Sequence, residues 1–189
     1  MSRALRAIWL AIGLTLVSPR AFAAEKPFTE TAPGPEAWWL RTRYHPFGKE
    51  VRGIPVAKIR GNWCRANEFR EELFPKKLAA DFEGRKSPFA SDGFFDGSRT
   101  PQTALVGAYE SCAGKRGVFL LIVNRPAGKP PAVAFLEEIS GEREFAAVET
   151  FKDGTIVMLH CLECDNATQF RWSRARKRFV RLPPSKDAD

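Results

Sequence analysis

Phe145–Cys161 reads FAAVETFKDGTIVMLHC, two apolar runs on either side of Asp153-Gly154. An Asp-Gly pair readily takes the positive φ that a tight hairpin demands, so this is the strongest hairpin signal in the chain. The same short-strand pattern continues outward in both directions. TALVGAYE at Thr103–Glu110, GVFLLIVN at Gly117–Asn124 and AVAFLEE at Ala132–Glu138 precede it, and Thr168–Trp172 and Arg178–Leu182 follow. With Phe145–Phe151 and Thr155–Cys161 they make seven expected strands. Turn residues divide them: AGKRG, RPAGKPP, SGERE, CDNA and RARK. Seven short strands joined by tight turns predict an antiparallel β meander.

Upstream of Thr103 the pattern changes. Asn67 is suited to cap a helix over EFREELF, and Pro75 can open a second turn, KKLAADF, ending at Gly84. A short helical zone packed on one face of a meander defines an α+β domain, expected over residues 36–184. Within it, residues 36–63 carry Trp38, Trp39, Tyr44, Phe47 and Trp63 among prolines and glycines. That segment is expected to cross the body of the fold, pinned by its aromatics, with at most a short strand at Ile54–Ile59. Residues 24–35, AEKPFTETAPGP, read as an extended or disordered lead-in, and residues 185–189 as a disordered tail.

The amino end predicts export. Arg3 and Arg6 precede an uncharged stretch from Ala7 to Val17, too short to span a bilayer, which takes about 20 apolar residues. Pro19 breaks the helix, and Ala21-Phe22-Ala23 offers the small-x-small pattern of a signal-peptidase site, so residues 1–23 read as a cleavable signal peptide. Cleavage would remove Arg3, Arg6 and Arg20 and no acid, leaving 27 basic against 22 acidic residues, a net charge of about +5. No later segment is apolar enough to suggest a transmembrane span. A soluble periplasmic or secreted product follows as the expectation.

Cys64, Cys112, Cys161 and Cys164 all lie after the signal. In an oxidising compartment four cysteines read as two disulfides, with three possible connectivities. Cys161-Leu-Glu-Cys164 is also a C-x-x-C spacing. A redox pair needs a helix N-terminus to stabilise the thiolate, whereas this one follows a strand and precedes Asp165. Zinc held by Cys161, Cys164, His160 and a distant cysteine is chemically feasible. The disulfide reading is preferred, with no metal and no cofactor expected.

Gly93–Val106, GFFDGSRTPQTALV, resembles the FG-GAP (VCBS) hairpin of integrin-type propellers, G-D-F-x-G-D-G-x-x-D followed by a small apolar strand. Gly93, Phe95, Gly97, Pro101 and Ala104-Leu105-Val106 fall in frame. In that family the acidic positions bind calcium. Here they match Phe94, Asp96, Ser98 and Gln102, so a single carboxylate remains for an ion that takes six to eight oxygens. The resemblance implies the hairpin shape without the metal, and no activity. The overall character resembles that of bacterial exported proteins holding one such degenerate hairpin.

From Arg171 to Arg181 the run RWSRARKRFVR carries Arg171, Arg174, Arg176, Lys177, Arg178 and Arg181, interleaved with Trp172 and Phe179. In an exported chain such a patch points to an anionic envelope component or an acidic protein rather than to nucleic acid. A solvated turn with its aromatics turned inward is the plainer alternative. No catalytic set is apparent: His45 sits in a Tyr-His-Pro turn, Glu137, Glu138, Glu142 and Glu144 read as a solvated edge, and no nucleophile or metalloprotease motif occurs. The functional expectation is an exported, soluble, non-catalytic binding protein, such as an inhibitor or immunity-type partner of an extracytoplasmic protein. A hydrolase acting on envelope polymers and a structural envelope component are the alternatives.

Overall fold

The alternation within residues 104–123 places them in the middle of the molecule. Ala104, Val106, Ala108, Val118, Leu120 and Ile122 pack into one core, while Leu105, Tyr109, Phe119, Leu121 and Val123 pack into a second. Successive strand side chains point to opposite faces, so a run apolar at every position belongs to a sheet covered on both sides.

The computed structural model of the protein describes residues 28–76, 78, 82, 88–141, 144–162 and 166–183. The expected signal peptide (1–23), residues 24–27, Cys164, Asp165, Glu142 and the tail (185–189) lie outside the described residues. So do Lys77, Ala79, Ala80, Asp81 and Gly84 of the second expected helical turn.

Thirteen strands are described: β1 (Thr29–Thr31), β2 (Thr42–Tyr44), β3 (Glu50–Val51), β4 (Ile54–Pro55), β5 (Trp63–Glu68), β6 (Ala90–Gly93), β7 (Gln102–Ser111), β8 (Arg116–Asn124), β9 (Ala132–Ser140), β10 (Ala147–Thr150), β11 (Ile156–Leu159), β12 (Ala167–Ser173) and β13 (Arg178–Arg181). Two four-residue helical turns, α1 (Trp38–Arg41) and α2 (Val56–Ile59), and a 3-10 turn at Glu71–Leu73 complete the described elements. All described pairings are antiparallel. The larger sheet runs β5-β7-β8-β9, and β6 shares one edge of β7 with β5. There β6 faces Gln102–Leu105 and β5 faces Gly107–Ser111. The second sheet is the meander β10-β11-β12-β13, and β1-β2 and β3-β4 are separate two-stranded ribbons.

These layers cover the two faces of β7 and β8. Val148, Ile156, Met158, Phe170 and Phe179 of the second sheet join the first core, with Phe135 of β9 lying 5.2 Å from Phe170 and 5.6 Å from Phe179, ring centre to ring centre. Phe28, Trp38, Trp39, Tyr44, Phe69, Phe74, Phe82, Phe89 and Phe145 fill the rest of it as one aromatic cluster. On the other face Val51, Ile54, Val56 and Ile59 cap the second core, and Trp63 stacks on Tyr109 at 4.6 Å. Gly107 is small because β5 crosses closely there: a Cβ would run into the Asn67 carbonyl oxygen and the Phe119 ring.

The fold is therefore β-rich, and this corrects the α+β expectation and its count of seven strands. The seven expected strands are β7 to β13, arranged as two meanders rather than one. Six more, two to six residues each, come from Thr29–Gly93. Asn67 caps no helix. It lies in β5, and its Oδ1 accepts the N–H groups of Phe47 (2.7 Å) and Gly48 (3.0 Å), closing the loop before β3. The stretch EFREELF ends that strand and then forms only the 3-10 turn, because Phe69 and Phe74 must both reach the aromatic cluster. Ile54–Ile59 is a strand for two residues and the helical turn α2 for four.

Cys64 and Cys112 form a disulfide with Cα atoms 4.8 Å apart, tying β5 to the turn after β7. Cys161 is also disulfide-bonded. Among the described residues no helix is long and apolar enough to cross a membrane.

Candidate functional site

Three of the segments singled out by sequence meet at one cleft: the loop between β6 and β7, the turn between β10 and β11, and the end of β12 with the turn that follows. The cleft has a volume of about 660 Å³, within the range of small-molecule sites, and its lining includes Asp92, Phe94, Asp96, Lys152, Asp153 and Arg174. Phe151, Arg171 and Trp172 complete the groups that matter chemically.

The β10–β11 turn is built by Asp153-Gly154, in a three-residue loop. Phe151 N–H donates to the Thr155 carbonyl (2.9 Å), and Gly154 N–H donates back to that of Phe151 (3.0 Å). Gly154 sits at φ +81°, the left-handed conformation such loops require. Asp153 Oδ1 accepts Thr155 N–H (3.0 Å), and Oδ2 accepts the Thr155 hydroxyl (2.9 Å) and the Arg171 guanidinium (2.7 Å). These bonds, those from Thr155 foremost and the Arg171 charge after them, hold the Asp153 carboxyl below the usual carboxylate range. Both partners are about half exposed, so the pair orients groups more than it stabilises the fold.

The β6–β7 loop, residues 94–101, is organised by buried Gln102. Its Oε1 accepts Asp96 N–H (3.1 Å) and its Nε2 donates to Asn124 Oδ1 (2.8 Å). Asp96 Oδ1 accepts Ser98 N–H (2.8 Å), and Ser98 Oγ accepts Thr100 N–H (3.1 Å). At Asp96, Ser98 and Gln102, positions matched to calcium ligands, one oxygen each is thus engaged by the loop's own N–H groups. Asp92 is fixed by the Thr103 hydroxyl (2.6 Å) and by Arg125 (3.0 Å).

Most large apolar side chains are inside, so the exceptions carry information. Phe94 and Phe151 are 59% and 55% exposed, and both line this cleft. Trp172 lies beside them, half-buried, its ring edge-on to Phe179 at 5.2 Å. Sequence reasoning treated Phe94 as a departure from the calcium pattern and Phe151 as the end of a strand. No local signal marked them: Phe95, next to Phe94 in the same loop, is buried in the first core.

The basic run divides in two. Arg171 faces the cleft and is bound to Asp153 and Thr155, and Arg181 donates to the Thr168 hydroxyl (3.2 Å). Arg174, Arg176 and Lys177 on the β12–β13 turn and Arg178 at the start of β13 stand exposed with no ion pair among the described residues, and Arg174 also lines the cleft. Phe179 is buried in the first core.

The remaining sequence-level groups lie elsewhere. Glu138 is not a solvated edge residue: it accepts Trp63 Nε1–H (2.9 Å) and pairs with Arg60 (3.0 Å). His45 sits 3.6 Å from the Glu30 carboxylate. His160 Nε2 lies 3.0 Å from the Thr168 hydroxyl. Burial holds its imidazole below the usual range, with Glu144 pulling the other way and Arg181 reinforcing the shift. The distant thiolate of the zinc alternative is not available, because Cys64 and Cys112 are bonded to each other.

Comparison with protein-family models, with curated proteins and with solved structures found no match. Fold and site together define a small, disulfide-linked, two-sheet β protein with an aromatic, charge-rimmed cleft formed by loops at the sheet ends.

Proposed function

We propose that this is an exported, non-catalytic binding protein that holds an anionic partner at the cleft of Phe94, Phe151 and Trp172. The partner is an acidic protein, as for an inhibitor or immunity-type protein, or an anionic envelope component. The observation that carries the reading is the convergence of two exposed phenylalanines on one charged cleft. Apolar side chains gathered at the surface within a polar rim mark interaction sites. Lys152 and Arg174, which have no ion pair among the described residues, are continued by Arg176, Lys177 and Arg178 and select for negative charge. Export rests on the pattern of residues 1–23 and accords with disulfide-bonded cysteines.

Asp92, Asp96 and Asp153 in the same cleft favour a second reading, a hydrolase of envelope polymers. Asp153 does not suit the proton-donor role of such a reaction: its carboxyl is shifted down, the opposite of what a general acid needs.

Retention on immobilised polyanions tests the proposal. Polyglutamate and polygalacturonate columns are loaded with the exported protein and developed with salt. The wild type should be held more strongly than Phe94→Ala/Phe151→Ala and Lys152→Gln/Arg174→Gln on at least one of them. Equal elution of all three proteins from both columns overturns the assignment of the cleft.

A further inference from the structure

The groups around the cleft narrow the class of ligand. Phe94 and Phe151 line the cleft with more than half of their surface open to solvent. An aromatic face carries the negative part of the ring quadrupole and favours weakly positive C–H groups laid flat against it. Two carboxylates of the same lining are fixed in advance: Asp92 by Thr103 and Arg125, and Asp153 by Thr155 and Arg171. Asp96 uses Oδ1 for Ser98 N–H, and its Oδ2 has no partner among the described residues. Oriented carboxylates of this kind accept hydrogen bonds from ligand hydroxyls at little ordering cost. Lys152 and Arg174, also without ion pairs among the described residues, call for an acid group on the same ligand.

A peptide is the competing ligand, and the backbone here offers it little. Extended peptides bind by adding a strand to an open sheet edge. Beside the cleft, β6 lies against β10: Val148 N–H donates to the Pro88 carbonyl (2.7 Å), and the Ser91 and Thr150 hydroxyls meet at 2.7 Å. Recognition must therefore come from rings and charged side chains. Flat C–H faces, vicinal hydroxyls and a carboxylate occur together in one ligand class.

We propose that the cleft binds an acidic oligosaccharide, sugar rings bearing carboxylates, stacked on Phe94 and Phe151 with hydroxyls on Asp96 and the acid group on Lys152 and Arg174. This rests on the cleft being a binding site. A longer chain would continue along the basic turn Arg174–Arg178.

Titration calorimetry on the full exported protein tests it, with trigalacturonate, neutral cellotriose and a pentaglutamate peptide as probes. Trigalacturonate should bind at least about tenfold more tightly than either of the others. Phe94→Ala, Phe151→Ala and Arg174→Gln should each weaken it about tenfold, and the last should also flatten its salt dependence. All three side chains are exposed, so these variants keep the fold, and a matching thermal transition checks this. Tighter binding of pentaglutamate, lost in the same variants, overturns the sugar assignment and leaves the binding cleft standing. Absence of trigalacturonate binding overturns the sugar assignment too, and polyanion retention then judges the cleft separately.

Discussion

Tyr44 and Trp38 bury a hydroxyl and an indole N–H with no hydrogen-bond partner among the described residues, inside the aromatic cluster. Burial, helped by the charge of Glu144, pushes the Tyr44 hydroxyl above the usual tyrosine range. An unsatisfied buried polar group costs about 1–3 kcal/mol, so removing it should not hurt. Tyr44→Phe is expected to leave unfolding free energy unchanged or to raise it by about 1 kcal/mol. A loss of similar size in a denaturant titration would show that the hydroxyl is bonded. His160 gives a prediction with the sign of a depressed imidazole. Its unfolded form titrates near 6.5 and its folded form lower. Above that value both states are neutral and stability is complete. As the pH falls through this window the unfolded chain takes up a proton first, so stability is lost. His160→Gln should remove this part of the loss between pH 7 and pH 5. Parallel melting curves for wild type and variant would contradict the burial of His160.

The elements differ in how legible they were. β7 to β13 follow from apolar runs with turn residues between them, and the Asp153-Gly154 turn from its dipeptide. Of β1 to β6 only β4 was anticipated, within the short strand expected at Ile54–Ile59, because strands of two to six residues show no dependable period and are held by distant partners. Asn67 shows the reason most plainly: the residue type that caps helices also caps loops, and only the fold decides which N–H groups it meets. At the β6–β7 loop, the bonds to Asp96, Ser98 and Gln102 take the place of an ion. Millimolar calcium should therefore leave the melting temperature unchanged, and a rise abolished by Asp96→Ala would overturn this. The Cys64–Cys112 bond closes a loop across a sequence separation of 48 and should contribute about 2–4 kcal/mol. Cys64→Ser/Cys112→Ser should lower unfolding free energy by that order, measured by denaturant titration. Little change would mean that the packing of β5 on β7 alone holds this edge.

At the scale of the molecule, the sequence located the parts of the site without assembling them. The Gly93–Val106 hairpin, the Asp153-Gly154 turn and the basic run were each visible as segments. Their meeting depends on β6 lying against β10 and on the order of the second sheet, neither of which a local pattern encodes. The rings of Phe94 and Phe151 become informative only once both are seen outside a core that buries nearly every other phenylalanine. Chemical-shift mapping of the labelled protein, titrated with trigalacturonate or a short polyanion, tests the cleft most directly. The account predicts that the perturbed amides cluster at Phe94–Gly97, Phe151–Gly154 and Arg171–Arg174. Perturbations confined to Arg176–Arg181, or centred on Arg52 and Glu68, with none at the two phenylalanines, would contradict it.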